Sequence, residues 1–309
     1  MKNLISILDL SKKEIFELVK RAKEIKKNPE KYKNKLYEEV LLTFFALPSL
    51  RTELSFDVAM FKMGGEVIDY HSESSPWAHG KESIEDVSKV VSKYCDIVMI
   101  RMSEHDELLK FSENSKIPVI NGLTSLEHPC QILSDLLTIY EKKGKLNNLK
   151  IAYFGDSNNN VTHSLIYAFA LLGLDISICC PSKKEFSPDE NVLKNAYRIA
   201  KKTKSKILIT NNPQKAAKDA DVIYTDTWIS YRIPKSQYKR RISTLKKFQV
   251  NKKVMNYAKK DAIFMHCLPA LREQEVTGEV LDGRKSVIFD QAGNRLYMQK
   301  AILLHLLKR

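Results

Sequence analysis

No stretch of this 309-residue chain stays apolar long enough to span a bilayer, so a helical membrane protein is excluded. The opening residues, MKNLISILDLSKKEI, have no signal-peptide core and read directly into an amphipathic helix. The five cysteines (Cys95, Cys130, Cys179, Cys180 and Cys267) show no CxxC spacing. Neither a zinc site nor a disulfide framework is therefore expected, and cytoplasmic residence is the simplest expectation. A GxGxxG fingerprint is missing: GDSNNNVTHS, at 155–164, is an Asn-rich turn, which disfavours dinucleotide binding. So is a GxSxG elbow, which sets aside a serine-hydrolase triad. There is no internal repeat and no low-complexity tract.

Acidic residues are in the minority: 37 Asp and Glu face 51 Lys and Arg, a net charge of +14. Such a balance raises nucleic acid as a partner. Much of the lysine, however, lies in amphipathic segments mixed with glutamate, such as SKKEIFELVKRAKEIKKNPEKYKNK, and a solvated helix face explains it better. Neither nucleic acid nor membrane is expected as a partner. The positive field favours small anionic substrates.

What the chain does have is alternation. Apolar runs at 40–47, 66–70, 96–101, 116–122, 150–156, 175–180, 206–210, 221–226, 262–267 and 286–290 read as strands. Helical spacing fills the gaps: Phe56, Ala59, Met60 and Met63 recur on one face before Gly64-Gly65, and a last helix spans roughly 291–308. Strand–helix alternation with apolar strands predicts an α/β fold of two doubly wound parallel-sheet domains with an inter-domain active-site cleft. The expected domains are 1–135, joined by the C-terminal helix 291–309, and 136–290.

In open α/β sheets ligands bind beyond the carboxyl ends of the strands. This chain keeps its unusual polar residues there. Ser49-Leu50-Arg51-Thr52 follows the first strand and leads into a helix, and a helix N-terminus offers unpaired N–H groups and partial positive charge. Adding Ser, Arg and Thr makes an anion site, with phosphate as the usual occupant. Arg101 ends another strand; His128 and Gln131 follow the next; SNNN, TWISYR and LPALR follow later ones, with Cys267 at a strand tip. Each has a plain structural alternative: a capped helix at Ser49, a surface ion pair at Arg101, a helix cap at His128, a buried thiol at Cys267. Six polar loops on one predicted edge make a site the better explanation.

Ser49-x-Arg51-Thr52, His128-Pro129-Cys130-Gln131, Asp226-x-x-x-Ser230 and His266-Cys267-Leu268-Pro269-Ala270 occur in that order, followed by EVTGEVLDG and NRLYMQKAILL. Together they resemble the aspartate/ornithine carbamoyltransferase family, in its ornithine branch, over essentially the whole chain. The aspartate branch differs at the cysteine-bearing loop. The resemblance implies transfer of the carbamoyl group of carbamoyl phosphate to the side-chain amine of ornithine, in arginine synthesis or the reverse direction. It also implies a homotrimer or multiple of trimers with shared sites, and no metal or organic cofactor. By the same resemblance Ser49, Leu50, Arg51, Thr52, Trp77, Arg101, His128, Gln131, Cys267, Leu268 and Arg295 bind carbamoyl phosphate. Asn160, Asp226, Ser230 and Tyr231 bind the amino acid, and Cys267, Arg51, His128 and Asp226 are the catalytic set.

Five positions depart from the family pattern. Glu53 stands where a cation usually follows the anion loop. Trp77 stands where ornithine enzymes commonly carry Gln, Tyr231-Arg232 replaces Met-Gly, and Gly293 replaces Glu. A Trp at 77 is similar to enzymes acting on acylated ornithines, and loss of the glycine removes a flexible hinge. Transfer to another amine such as lysine or putrescine is the alternative within the class. A carbamoyl phosphate-binding relative without turnover is the alternative outside it.

Overall fold

A computed structural model describes residues 2–71, 77, 80–230 and 233–309. They divide into two compact units, one formed by residues 1–137 with 293–309 and the other by 138–292.

The first unit opens with α1 (Lys12–Lys27), whose N-cap Ser11 accepts the Glu14 N–H while the Glu14 side chain answers the Ser11 N–H. There follow β1 (Val40–Phe45), α2 (Leu50–Phe61), β2 (Glu66–His71), α3 (Ile84–Tyr94), β3 (Ile97–Arg101), α4 (His105–Asn114), β4 (Val119–Leu123) and α5 (Pro129–Lys143). The four strands are parallel in the order β2-β1-β3-β4. Central β3 is buried at every residue, as a strand covered on both faces should be, whereas edge strand β2 is largely exposed. Gly64 ends the α2 segment at φ 81°, which a side chain would resist.

The second unit carries β5 (Lys150–Phe154), α6 (Asn160–Leu172), β6 (Asp175–Cys179), α7 (Glu190–Thr203), β7 (Ile207–Thr210), α8 (Pro213–Ala217) and β8 (Val222–Thr225). After these come α9 (Tyr238–Leu245), α10 (Lys252–Tyr257), β9 (Ile263–His266) and α11 (Gly278–Leu281). Its sheet, β7-β6-β5-β8-β9, is again all parallel. The final helix, α12 (Ile288–Leu306), starts in this unit and ends in the first. No helix of the described residues is long and apolar enough to cross a membrane.

One expected strand is corrected. Residues 286–290 contribute a single bridge, Ser286 to Phe264, fixed by Phe264 N–H to Lys285 O and Val287 N–H to Phe264 O. The backbone then turns helical at Ile288, three residues earlier than expected. A five-residue apolar run cannot be told from the buried start of a helix by periodicity alone.

Candidate active site

In the first unit the strand-to-helix turn after β1 is built as the anion-site pattern requires. Ser49 is the N-cap of α2, its hydroxyl accepting the Thr52 N–H at 3.2 Å. Leu50 opens the helix with its side chain exposed, and Arg51 is half-buried beside it. Thr52 is buried and is the point on which two guanidinium groups meet. Arg295 donates to its hydroxyl at 2.9 Å from α12, and Arg101 lies 3.5 Å from it at the tip of β3.

Arg295 holds more than Thr52. Its Nη1 donates to the Gln131 side-chain oxygen and lies 3.4 Å from His128 Nε2. Gln131 in turn donates to Asp135 at 2.8 Å, one turn along α5. His128, Gln131, Thr52, Arg101 and Arg295 are all buried. Burial pushes His128 well below its ordinary 6.5, and the charges of Arg295, Arg101 and Arg51 push in the same direction. The imidazole is therefore neutral at physiological pH, and three guanidinium groups raise the potential around it. A neutral donor inside a positive field suits a carbonyl attached to a phosphate.

Glu53, in the first turn of α2, belongs to a different neighbourhood. Its charge is felt at Asp57, one turn on, which burial, Asp69 and Glu53 together push up to about 7. Asp69 accepts from Thr43. The acidic residues thus gather on one flank of α2, and in its first turn Glu53 also complements the helix dipole. Trp77 packs against Phe44, ring centroids 5.5 Å apart, in the apolar cluster around β1 and β3. The position of Gly293 is sterically open, since a Cβ there would meet nothing within 4 Å.

In the second unit two neighbouring strand tips supply the chemistry. Asp226 follows β8 and Cys267 follows β9, and the Cys267 thiol donates to Asp226 Oδ1 at 3.1 Å. The same oxygen accepts the Thr227 N–H at 2.8 Å, which fixes the carboxylate. Burial raises both Tyr153, within β5, and Asp156, on the turn after it, and the charge of Asp226 adds to each. Asn159 caps α6 from that turn, bonding Tyr153 Oη at 2.8 Å, and Asn160 is the first residue of the helix. Ser230 is exposed, its carbonyl accepting the Ile233 N–H at 3.0 Å. Tyr231, with Arg232, lies outside the described residues.

The turn after β5 needs a glycine. Gly155 has φ 119°, and a Cβ there would stand 2.9 Å from Trp228 Nε1. Trp228 is buried with Phe186 and Leu245. Arg241 of α9 crosses this cluster: it pairs with buried Asp156, lies 3.4 Å from the Trp228 carbonyl and sits 4.9 Å above the Phe186 ring. Desolvation outweighs the guanidinium at Asp156, so its carboxyl is pushed up to about 6. Sequence reading passed over Asp156, Arg241 and Asp135. The available signal was a charged residue placed at an apolar strand tip or on an apolar helix face.

Asp226, His266 and Cys267 bring one potential ligand atom each within 4.8 Å of one another. His266 is already engaged through both ring nitrogens, with the Leu268 N–H and with Glu275, whereas Asp226 and Cys267 are only half-buried.

The family models that match the chain are the aspartate/ornithine carbamoyltransferase carbamoyl-P binding domain, over residues 2–141, and the Asp/Orn binding domain, over residues 147–306. An ornithine carbamoyltransferase of Listeria innocua is 43% identical over 307 residues, covering 99% of this chain and 96% of that one. One from Methanobrevibacter smithii is 42% identical over 308 residues and covers all of both chains. Among solved structures, the Pyrococcus furiosus ornithine carbamoyltransferase superposes with a TM-score of 0.94 at 39% identity, covering 99% of this chain and 97% of that one. The anabolic enzyme of Campylobacter jejuni gives 0.93 at 38% identity, covering 99% of each.

Proposed function

The chain belongs to the aspartate/ornithine carbamoyltransferase family, and from that premise we propose that it transfers the carbamoyl group of carbamoyl phosphate to the side-chain amine of L-ornithine, giving L-citrulline and phosphate. The observation that carries the proposal is the buried cluster of Arg295, Thr52, Gln131 and His128 with Arg101 beside it. These are hydrogen-bond donors and cations gathered at a helix N-terminus.

Ser49, Thr52, the Leu50 N–H, Arg51 and Arg101 hold the phosphate, with Trp77 contributing across a subunit boundary. His128, Gln131 and Arg295 address the carbamoyl oxygen, where negative charge grows as the amine attacks. Each such donor is typically worth about 3 kcal/mol in the transition state. The Cys267 and Leu268 carbonyls accept from the carbamoyl NH₂. Asp226 pairs with the α-ammonium group of the amino acid, and Asn160, Ser230 and the Tyr231 backbone take its carboxylate.

The attacking amine must be neutral, whereas a free alkyl ammonium has a pKa of roughly 10. Cys267, hydrogen-bonded to Asp226, orients that amine. The C–N bond forms as the C–O bond to phosphate breaks, and the departing phosphate takes the amine's proton. The attacking species is the neutral fraction of the amine, which has given its first proton to solvent. The departing phosphate is therefore the only base the transfer uses, and orientation can supply roughly 7–11 kcal/mol.

Arginine synthesis in the cytoplasm is the setting proposed, and a homotrimer the assembly. In support of the assembly, α2 presents Leu50, Leu54 and Phe61, 69%, 52% and 80% exposed, beside Ile68 of edge strand β2. Exposed apolar side chains on a helix next to an edge strand suit another copy of the chain.

The test is citrulline formation from carbamoyl phosphate with a panel of ornithine, lysine, putrescine, N-acetylornithine and aspartate, alongside the solution mass. Fastest turnover with ornithine is expected. Turnover on another amine would move the specificity, and absence of turnover on all would overturn the proposal.

A further inference from the structure

His266 and Glu275 are both fully buried, and neither faces the substrate in the roles above. His266 Nδ1 accepts the Leu268 N–H at 2.9 Å, and Nε2 lies 3.3 Å from Glu275 Oε1. That oxygen also accepts the Leu271 N–H at 2.6 Å. A nitrogen that accepts an N–H carries a lone pair, so the ring proton must sit on Nε2, pointing at the carboxylate. Glu275 thereby sets the tautomer, and the tautomer sets whether Nδ1 can hold the Leu268 peptide. With the proton on Nδ1 instead, two N–H groups would face each other.

What is held is unusual backbone. Leu268 has φ 60°, a left-handed conformation that residues other than glycine rarely adopt. The residue held there donates its own N–H to His266. The strand end is fixed as well, because His266 N–H donates to Gln291 at 2.9 Å and Gln291 donates to Tyr224 Oη at 3.1 Å.

We propose that His266 is a positioning residue for carbamoyl transfer: through the tautomer that Glu275 imposes, it aims the Cys267 thiol and the Cys267 and Leu268 carbonyls at the substrates. The inference rests on the reading of the site as a carbamoyltransferase. It differs from a packing role because only one of the two ring nitrogens touches the loop that acts.

Two isosteres separate the nitrogens. An Asn side chain places an acceptor near Nδ1 and nothing near Nε2, whereas Gln places a polar atom near Nε2 and no acceptor near Nδ1. With melting temperatures within a few degrees of each other, His266→Gln should lower kcat on the order of 30- to 100-fold, since a misplaced reacting geometry costs about that much. His266→Asn should lose only a few-fold, and the KM for ornithine should move less than kcat in both. Glu275→Gln keeps an acceptor for Nε2–H and should resemble His266→Asn. Equal losses in the Asn and Gln variants, or losses that follow the melting temperatures, would overturn the proposal.

A second measurement does not depend on turnover. Nitrogen NMR of labelled wild-type protein should find His266 protonated at Nε2 alone. Protonation at Nδ1 would overturn the tautomer argument even if the enzyme is active. An inactive wild type with the expected tautomer would sink the functional reading and not the local geometry.

Discussion

The two halves of the molecule build their polar clusters from different materials. In the first unit the groups are long, charged and buried: Arg101 and Arg295 converge on Thr52, with Arg51 close enough to be felt at His128. In the second they are short and set by backbone: Asp226 and Cys267 meet because β8 and β9 are parallel neighbours whose tips end side by side. The contrast fits the roles proposed for the two units. A phosphate dianion needs cations that keep their charge when desolvated, and guanidinium groups do. An amine that must stay neutral needs orientation with little added charge.

The largest effect should come from the charged half. Arg295→Ala removes the group that organises Thr52, Gln131 and His128 at once, and kcat/KM for carbamoyl phosphate should fall about 10³-fold, or about 4 kcal/mol. A loss confined to ornithine KM would reverse the assignment of the two halves.

Next is the scaffold of the second unit. Arg241→Ala strands the Asp156 carboxylate among Phe186 and Trp228, and should destabilise by about 3 kcal/mol in denaturant titration. An unchanged midpoint would mean that the pair contributes nothing to holding the turns after β5 and β8.

Cys267→Ala should be milder, lowering kcat about 10- to 100-fold while leaving carbamoyl phosphate binding nearly intact. Equal weakening of carbamoyl phosphate binding would show that the thiol belongs to the charged half after all.

The smallest effect lies on the flank of α2. Asp57 has a folded pKa of about 7 against an ordinary 3.8, because burial and the charges of Asp69 and Glu53 oppose its ionisation. A raised value means that its contribution to stability is full below about pH 3.8 and is lost as pH rises through about 7. Asp57→Asn should therefore flatten the stability profile between those limits and gain about 1 kcal/mol at pH 8, a figure discounted for partial exposure. If the wild-type profile is already flat, a cation from a neighbouring copy neutralises the trio.

Several elements were legible because local rules fixed them. Ser49 caps α2 as its place after Pro48 suggests, and β1, β3 and β5 begin within a residue of where their apolar runs begin. The segment 286–290 was misread because Phe264 and Lys285 decide its conformation, and they are distant partners. Glu53 stands where a cation usually follows the anion loop, and only the structure shows its charge acting on Asp57. His266 was visible as part of a motif, but its partnership with Glu275 was not.

The sequence by itself determined the alternation of strands and helices, the capped turns, and which residue types stand at strand tips. Those depend on hydrophobic period and on backbone preferences within a few residues. Only the tertiary structure decided that Arg295, 243 positions beyond Thr52, donates to its hydroxyl, that Arg241 closes over Asp156, and that His266 stands against Glu275. Contacts between residues far apart in the chain depend on how sheets and helices pack, and a buried polar group must find its partner there or remain costly.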